Sequence, residues 1–230
     1  MKIKFGFTLA EVLITMAIIG VVAALTIPTL TENYQKKVYV TSLHKTYNDL
    51  SHALERLMSD KGVENLVEAG LRSDNAIYDF IDKYIKYNKK STTAFSDGDP
   101  FASKEKYRKM FTNEILDGSV QFNDMPSYVL ASGVSIKTSY NPQGFKLFDV
   151  LIDTNGPKAP NTVGRDLFVI FVYKNGLIDD FHISYNAPLP PAIRDGQYTK
   201  FCNNPEGYAN PTNISGCFGK ILNDNWQMKY

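Results

Sequence analysis

The sequence predicts an α+β protein in which a long N-terminal α-helix packs on a small antiparallel β-sheet. Three observations support this class. An apolar run fills residues 7–30, an apolar stripe at helical spacing follows over residues 36–58, and β-strand patterns with a strong hairpin turn come after residue 126. A helical region followed by a run of strands is typical of α+β folds. The length of 230 residues suits one domain plus an appendage.

The first element is the apolar run, which is long enough for the roughly 20 residues of a membrane-spanning helix. Lys2 and Lys4 precede it and place the N-terminus in the cytoplasm by the positive-inside rule. A secretory signal peptide fits less well, because the run is too long and ends at Pro28 without a small-residue cleavage site. Glu11 is the single charged residue inside the run, and a carboxylate in a membrane requires a partner.

A known family supplies such a partner. Residues 4–30 resemble the N-terminus of type IV pilins and type II secretion pseudopilins, and the matching residues after a short basic leader are Gly6, Phe7, Thr8, Leu9 and Glu11. The resemblance implies that a prepilin peptidase cleaves between Gly6 and Phe7 and that the new Phe7 amine is methylated. It also implies that Glu11 pairs with this amine on a neighbouring subunit. An opposite charge makes a buried carboxylate tolerable, so the pair would favour docking in register.

The resemblance adds Thr8, Gly20 and Pro28 to Glu11 as assembly residues. Glycine lowers helix stability by about 1 kcal/mol relative to alanine, and proline removes a backbone hydrogen bond. The stretch between Gly20 and Pro28 is therefore expected to kink or melt inside a filament. Ala10 departs mildly from the family, where many members carry Ile or Val.

The second element continues the helix. Its stripe consists of Val40, Leu43, Tyr47, Leu50, Leu54 and Leu57, at spacings of 3, 4, 3, 4 and 3. This is one face of an amphipathic helix, which Gly62 ends. We expect the stripe to pack on the protein's own sheet, and the alternative is a coiled-coil seam with other subunits.

The family resemblance implies a ladle-shaped molecule with four regions. Residues 1–6 form the cleaved leader and residues 7–30 the membrane and assembly half of the helix. Residues 31–62 form its amphipathic half. Residues 63–230 form an extracytoplasmic globular domain with a C-terminal disulfide loop.

The middle of the chain predicts two further helices. Residues 75–88 (NAIYDFIDKYIKYN) have an apolar side at helical spacing, and residues 104–116 (KEKYRKMFTNEIL) predict a second short helix. Residues 89–100 (KKSTTAFSDGDP) predict a polar loop between them.

Strand signals follow. Residues 127–140 predict a hairpin interrupted at Gly133, and residues 145–156 predict a strand that ends in a turn. The strongest hairpin signal covers residues 165–183, where apolar strands flank Asn175-Gly176. We expect about four strands. The region from Tyr185 onward is rich in Pro, Gly and Asn and predicts surface loops.

Two cysteines, Cys202 and Cys217, enclose 14 residues. A disulfide is allowed if this part lies outside the cytoplasm, and a loop of this size would contribute about 3 kcal/mol. C-terminal disulfide loops are frequent in type IV pilins, so the resemblance implies one here. The alternative is two buried free thiols. Zinc would need more ligands than this region offers.

The loop at residues 153–166 (DTNGPKAPNTVGRD) is a candidate metal site. Asp153, Asn155, Asn161 and Asp166 offer the oxygen ligands that calcium prefers. Major pseudopilins bind calcium near this place in their fold, and the stretch is similar in character. Asx residues also make turns without metal, which is the alternative. No other cofactor is expected.

No enzyme signature appears, and we expect a protein that is not an enzyme. His44, His52 and His182 form no metal-binding pair, and no nucleotide or nucleophile motif is present. The Asn213 sequon is interpreted as a chance occurrence. The net charge of +1 makes no general case for nucleic acid, which is not expected as a partner.

The sequence therefore predicts a prepilin-like structural subunit of a type IV pilus or a type II secretion pseudopilus. Its expected partners are other pilin or pseudopilin subunits, prepilin peptidase, an inner-membrane assembly platform and the lipid bilayer. Its expected location is the bacterial inner membrane, as a single pass, and then a periplasmic or surface filament.

The alternative function is a minor tip pilin that acts as a ligand- or DNA-binding module. Its candidate surface alternates cations and aromatics over Lys83, Tyr84, Lys86, Tyr87, Lys89 and Lys90. A solvated helix face with the tyrosines turned inward explains the same pattern.

Overall fold

The structure is a computed structural model that describes residue 6 and residues 8–91, 100–103, 106–115, 125–203 and 214–230. The chain divides into two compact units, residues 1–38 and residues 39–230. Helix α1 spans Leu9–Lys61 and contains Pro28. The elements of the second unit confirm the α+β class.

In the first unit, α1 is long and apolar enough to cross a membrane. Its most apolar 18-residue window has a mean hydropathy of 2.3, and none of that window is buried. Exposed apolar side chains cover all sides of this part of the helix, among them Leu13, Met16, Ile19, Leu25 and Leu30. A helix that is apolar all round suits a hydrocarbon environment.

In the second unit, the α1 stripe faces inward as predicted. Val40, Leu43, Leu50, Leu54 and Leu57 are buried. They share one core with one face of the sheet, which includes Ile136, Phe148, Val150, Ile152 and Ile170. The helix ends at Lys61, before Gly62 at a φ of +64°. Packing of the stripe on the protein's own sheet is therefore confirmed.

The sheet has six antiparallel strands in the order β1-β2-β3-β4-β5-β6. These are β1 (Tyr87–Ser91), β2 (Ser127–Leu130), β3 (Ser135–Gln143), β4 (Lys146–Asp153), β5 (Leu167–Tyr173) and β6 (Ile178–Asp179). The two predicted hairpins are confirmed, at β2–β3 and at β5–β6. The prediction of about four strands was too low, since the sheet has six and the edge strand β1 was not predicted.

Both faces of the sheet are covered. Every residue of β4 and β5 is buried. The face away from α1 holds a second core, in which Leu151, Val169 and Phe171 pack with Phe101 and Leu189. Strands buried on both faces lose the alternation of apolar and polar residues.

The middle of the chain differs from the prediction. Helix α2 spans Asp74–Tyr84, so the predicted helix ends early and β1 begins three residues later. The start of the predicted polar loop belongs to β1, and residues 92–99 lie outside the described residues. The predicted second helix was wrong over residues 106–115. Residues 109–114 form a turn instead, in which the Lys109 N–H donates to the Glu114 carbonyl over 2.9 Å.

The predicted surface loops after Tyr185 were also wrong in part. Helix α3 spans Pro191–Gln197, a π-helical turn spans Tyr198–Cys202 and helix α4 spans Cys217–Asn223. Trp226 then stacks on His44, with ring centroids 3.9 Å apart. This region is therefore built into the core around α1.

Candidate functional site

The start of α1 forms a capping box between Thr8 and Glu11. The Thr8 N–H and the Thr8 hydroxyl both donate to Glu11 Oε2, over 2.8 Å and 2.9 Å. The Glu11 N–H donates back to Thr8 Oγ1 over 3.2 Å. Among the described residues, Glu11 Oε1 accepts no hydrogen bond. The carboxylate thus caps its own helix with one oxygen, while Phe7 lies outside the described residues.

Three threonine hydroxyls in and just after the apolar run donate hydrogen bonds within the helix. The hydroxyls of Thr15, Thr26 and Thr31 each donate over 2.9 Å to a carbonyl three or four residues earlier. Gly20 and Pro28 lie within α1. Because lipid offers no hydrogen bonds, this internal pairing is what a spanning helix needs.

The loop between β4 and β5 brings the four predicted calcium ligands into one turn. Tyr107 Oη donates to Asp153 Oδ2 over 2.6 Å, and the Asn155 N–H donates to Asp153 Oδ1 over 3.3 Å. Both oxygens of Asp166 accept backbone N–H groups, from Asn161 over 2.8 Å and from Thr162 over 2.6 Å. Both carboxylates are fully buried.

This loop holds more negative charge and more acceptors than its own donors satisfy. Burial raises the pKa of Asp153 well above its usual range, and the Asp166 carboxylate raises it further. Burial also raises the pKa of Asp166. The Oδ1 atoms of Asn155 and Asn161 are buried without a hydrogen-bond partner. Carboxylate and carboxamide oxygens are the kind of donor that a hard cation such as calcium prefers.

The Cys202–Cys217 disulfide is formed, with 5.1 Å between the Cα atoms, so this prediction is confirmed. It packs against the calcium-candidate loop at Gly164. A Cβ on Gly164 would lie 2.6 Å from Cys217 Sγ. Tyr230 Oη donates to the Gly164 carbonyl over 2.9 Å.

A buried acidic pair at the end of β6, Asp179 and Asp180, is a feature that the sequence analysis missed. The Asp179 carboxylate accepts hydrogen bonds from Arg194 Nε over 2.8 Å and from Arg194 Nη2 over 2.5 Å. Asp180 accepts the N–H groups of Phe181, Gly216 and Gly219, over 2.7, 2.9 and 2.6 Å. Each acid binds a segment distant in sequence, so only the folded chain reveals the pairing.

A basic cleft of about 330 Å³ lies between α1, the segment after α2 and the β2–β3 turn. Its charged or titratable lining consists of Lys45, Asp49, His52, Arg56 and Lys86, all exposed. Ala53, Ile85 and Leu130 are buried and form an apolar floor.

The pattern of cations and aromatics at residues 83–90 is divided between elements. Lys83 and Tyr84 end α2, and Lys86 and Tyr84 line the basic cleft. Lys90 lies on edge strand β1 and pairs with Asp82 over 2.7 Å. The interpretation as one solvated helix face was therefore wrong, because α2 ends at Tyr84.

The histidines take separate positions, and no site joins them in the described part of the chain. His44 stacks on Trp226, His52 lines the cleft and His182 Nδ1 accepts the Ser184 N–H over 3.0 Å. Within the described ranges, no group of three His, Cys, Asp or Glu residues could hold a metal. The Asn213 sequon lies outside those ranges.

The N-terminal helix is long and apolar enough to cross a membrane, and the single charge of its apolar run caps the helix start. Comparison with protein families identifies the N-terminal segment. Residues 1–27 match the family model for the prokaryotic N-terminal methylation motif, the signature of type IV pilins and pseudopilins. The N-terminus of the chain therefore carries the signature found in type IV pilin and pseudopilin precursors. No curated protein and no solved structure matches the chain significantly.

Proposed function

We propose that this chain is a structural subunit of a type IV pilus or a type II secretion pseudopilus, assembled through the membrane half of α1. The observation that carries the proposal is Glu11, placed in a methylation motif at the start of an apolar helix. Prepilin peptidase would cleave after Gly6 and free the amine of Phe7, which is then methylated. Residues 1–6 would be lost as the leader.

The capping box suggests how Glu11 serves assembly. Its Oε2 is held by Thr8, and this fixes the carboxylate at the helix start. Its Oε1 remains available for the Phe7 amine of a neighbouring subunit. In hydrocarbon each charge alone is costly, and a well-placed pair recovers much of that cost. The pair would therefore set the register between subunits, while the exposed apolar side chains of α1 supply the contact area.

The expected topology follows from the same features. The N-terminus lies in the cytoplasm, residues 7–30 cross the inner membrane, residues 31–62 continue as the amphipathic half of the helix and residues 63–230 lie outside. An inner-membrane platform would then extract the subunit from the bilayer into a periplasmic or surface filament. Gly20 and Pro28 would allow α1 to adjust during that step.

Two measurements test this function. Mass spectrometry of the protein from native membranes should find a mature chain that starts with N-methylated Phe7. Glu11→Ala should leave insertion and cleavage intact and lower the filament yield in sheared fractions at least tenfold. Glu55→Ala removes an exposed carboxylate in the second half of α1 and serves as the matched control. An intact Met1 start, or normal filament yield from Glu11→Ala, would refute the proposal.

We further propose that the β4–β5 loop binds calcium through Asp153, Asn155, Asn161 and Asp166. The orphaned Oδ1 atoms of the two asparagines support this assignment. A bound calcium ion would neutralise the two buried carboxylates and supply a partner to each carboxamide oxygen.

Thermal unfolding with calcium and with a chelator tests the site. Calcium at about 100 times its dissociation constant should stabilise the fold by about 2.7 kcal/mol. Asn161→Ala should abolish the shift, whereas Asn48→Ala, which removes an exposed carboxamide on α1, should retain it. An identical melting temperature with calcium and chelator in the unsubstituted protein would refute the site.

A second candidate role is that of a minor tip pilin whose globular unit binds a ligand or DNA. The observation that favours it is the basic cleft, which collects exposed cations over an apolar floor.

A further inference from the structure

The basic cleft carries charge that the protein itself does not neutralise. Among the described residues, none of Lys45, Arg56 and Lys86 lies within 4.0 Å of a carboxylate oxygen. Asp49 is the single acid in the cleft lining. Some cations elsewhere are paired, such as Lys220 with Asp224 over 2.9 Å. Uncompensated cations around one cleft are the electrostatic pattern of an anion site.

The spacing of the cations indicates a polymer rather than a single ion. Lys45 and Arg56 lie on one helix, 11 residues apart in the numbering. At 1.5 Å per residue, this separation corresponds to roughly 16 Å along the axis of α1. A row of this length offers separate contacts to successive charges of an extended ligand. A strand that carries a charge on every unit can contact Lys45 and Arg56 at once, with Lys86 on a different wall.

The floor and the rings indicate what the polymer carries between its charges. Ala53, Ile85 and Leu130 offer an apolar surface, and Tyr84 lies beside them. The Arg56 guanidinium lies 5.9 Å and the Lys83 ammonium 5.0 Å from the centre of the Tyr84 ring. Cationic grooves that include aromatic rings bind single-stranded nucleic acid, because bases stack there regardless of sequence.

We propose that the basic cleft binds a single strand of nucleic acid. Lys45, Arg56 and Lys86 neutralise three phosphates, and the bases lie against the apolar floor beside Tyr84. This inference deepens the second role proposed above and rests on it for the exposure of the cleft outside the cytoplasm. It revises the expectation from net charge, because a total of +1 conceals a local excess of cations.

Fluorescence anisotropy with the purified full-length chain in detergent tests the proposal. The probe is a labelled oligothymidylate of about 12 nucleotides. Three phosphate contacts predict a slope of about −2 for log affinity against log salt concentration. The triple variant Lys45→Gln, Arg56→Gln, Lys86→Gln should bind at least tenfold more weakly with a slope near zero.

The matched control removes the same charge elsewhere. Lys61→Gln, Lys158→Gln and Lys229→Gln replace three exposed lysines that do not line the cleft. This control should bind within twofold of the unsubstituted chain. Equal losses in both triple variants, or none in the cleft variant, would overturn the proposal.

Two competitors identify the ligand class. An abasic oligomer of equal length keeps the phosphates and should compete at least fivefold more weakly, since stacking contributes about 1 to 3 kcal/mol per base. Heparin should also compete more weakly at equal charge. Equal competition by either polymer would overturn the assignment to nucleic acid. Because the purified chain is tested without polymerisation, failure here leaves filament assembly standing, and loss of filaments from Glu11→Ala leaves this proposal standing.

Discussion

Asp180 should make the globular unit more stable in mild acid than at neutral pH. Its carboxylate is fully buried, and burial raises its pKa to about 6 although three backbone N–H groups favour the charged form. In the unfolded chain the same group titrates near 3.8. Between these values the folded chain binds the proton more tightly, so stability rises as the pH falls.

The size of this pH effect follows from the difference between the folded and unfolded pKa values of Asp180. The difference between 6 and 3.8 corresponds to roughly 3 kcal/mol of unfolding free energy. This stability is fully present below the unfolded value and is lost as the pH rises through about 6. Burial also raises the pKa of Asp149 and Asp153, so these groups act in the same direction.

Urea unfolding at about pH 7 and about pH 4.5 checks the prediction. Trp226 is the chain's single tryptophan, and its fluorescence reports the packing against His44. A chelator should be present so that no cation occupies the β4–β5 loop. The unfolding free energy should be higher at the lower pH.

Asp180→Asn isolates the contribution of this carboxyl group. The variant cannot titrate, so its unfolding free energy should gain roughly 2 to 3 kcal/mol less on acidification than that of the unsubstituted chain. Asp79→Asn replaces an exposed acid on α2 and should retain the full dependence. The reasoning is refuted if Asp180→Asn and the unsubstituted chain respond equally to pH.

Three further changes have predictable effects on urea midpoints. Replacing Cys202 and Cys217 by serine should cost about 3 kcal/mol, and an unchanged midpoint would contradict the role of the disulfide. Leu54 is fully buried, at 0% exposure, so Leu54→Ala leaves a cavity and should cost about 2 to 5 kcal/mol of unfolding free energy. A loss below about 1 kcal/mol would show that the surrounding core moves in to fill the cavity. Gly164→Ala should be more damaging than Gly133→Ala, because only the first adds a Cβ that collides with the disulfide while both have positive φ; equal losses would argue against that collision.

Local periodicity in the sequence predicted the parts of the fold that depend on neighbouring residues. The stripe from Val40 to Leu57 repeats at helical spacing, and its members face the core. The turn at Asn175-Gly176 closes a hairpin, with Gly176 at a φ of +85°. Both features follow from short-range geometry, so pattern analysis finds them.

Elements without an apolar pattern were missed. Strand β1 reads YNKKS and lies at the edge of the described sheet, where lysines are common. Helices α3 and α4 are seven residues each, too short for a period to appear. Their positions depend on Asp179 and Asp180, which bind Arg194 and the start of α4.

The candidate sites show the same contrast between features with a local sequence pattern and features built from distant segments. The calcium-candidate loop was visible because its oxygen donors are close in sequence. Tyr107, which donates to Asp153 from 46 residues away, left no local signal. The basic cleft joins residues from three segments, so the sequence showed its cations without showing that they line one cleft.

The stacking of Trp226 on His44 has a consequence for the order in which the chain can fold. Each strand of the sheet pairs with the next strand along the chain, so the sheet can form as those residues emerge. The contact between His44 and Trp226 joins positions 182 apart in the numbering. The N-terminal helix must therefore wait, with part of its stripe uncovered, until almost all of the globular unit has been synthesised. During that interval the uncovered part of the stripe is exposed apolar surface, which makes a folding intermediate prone to aggregate.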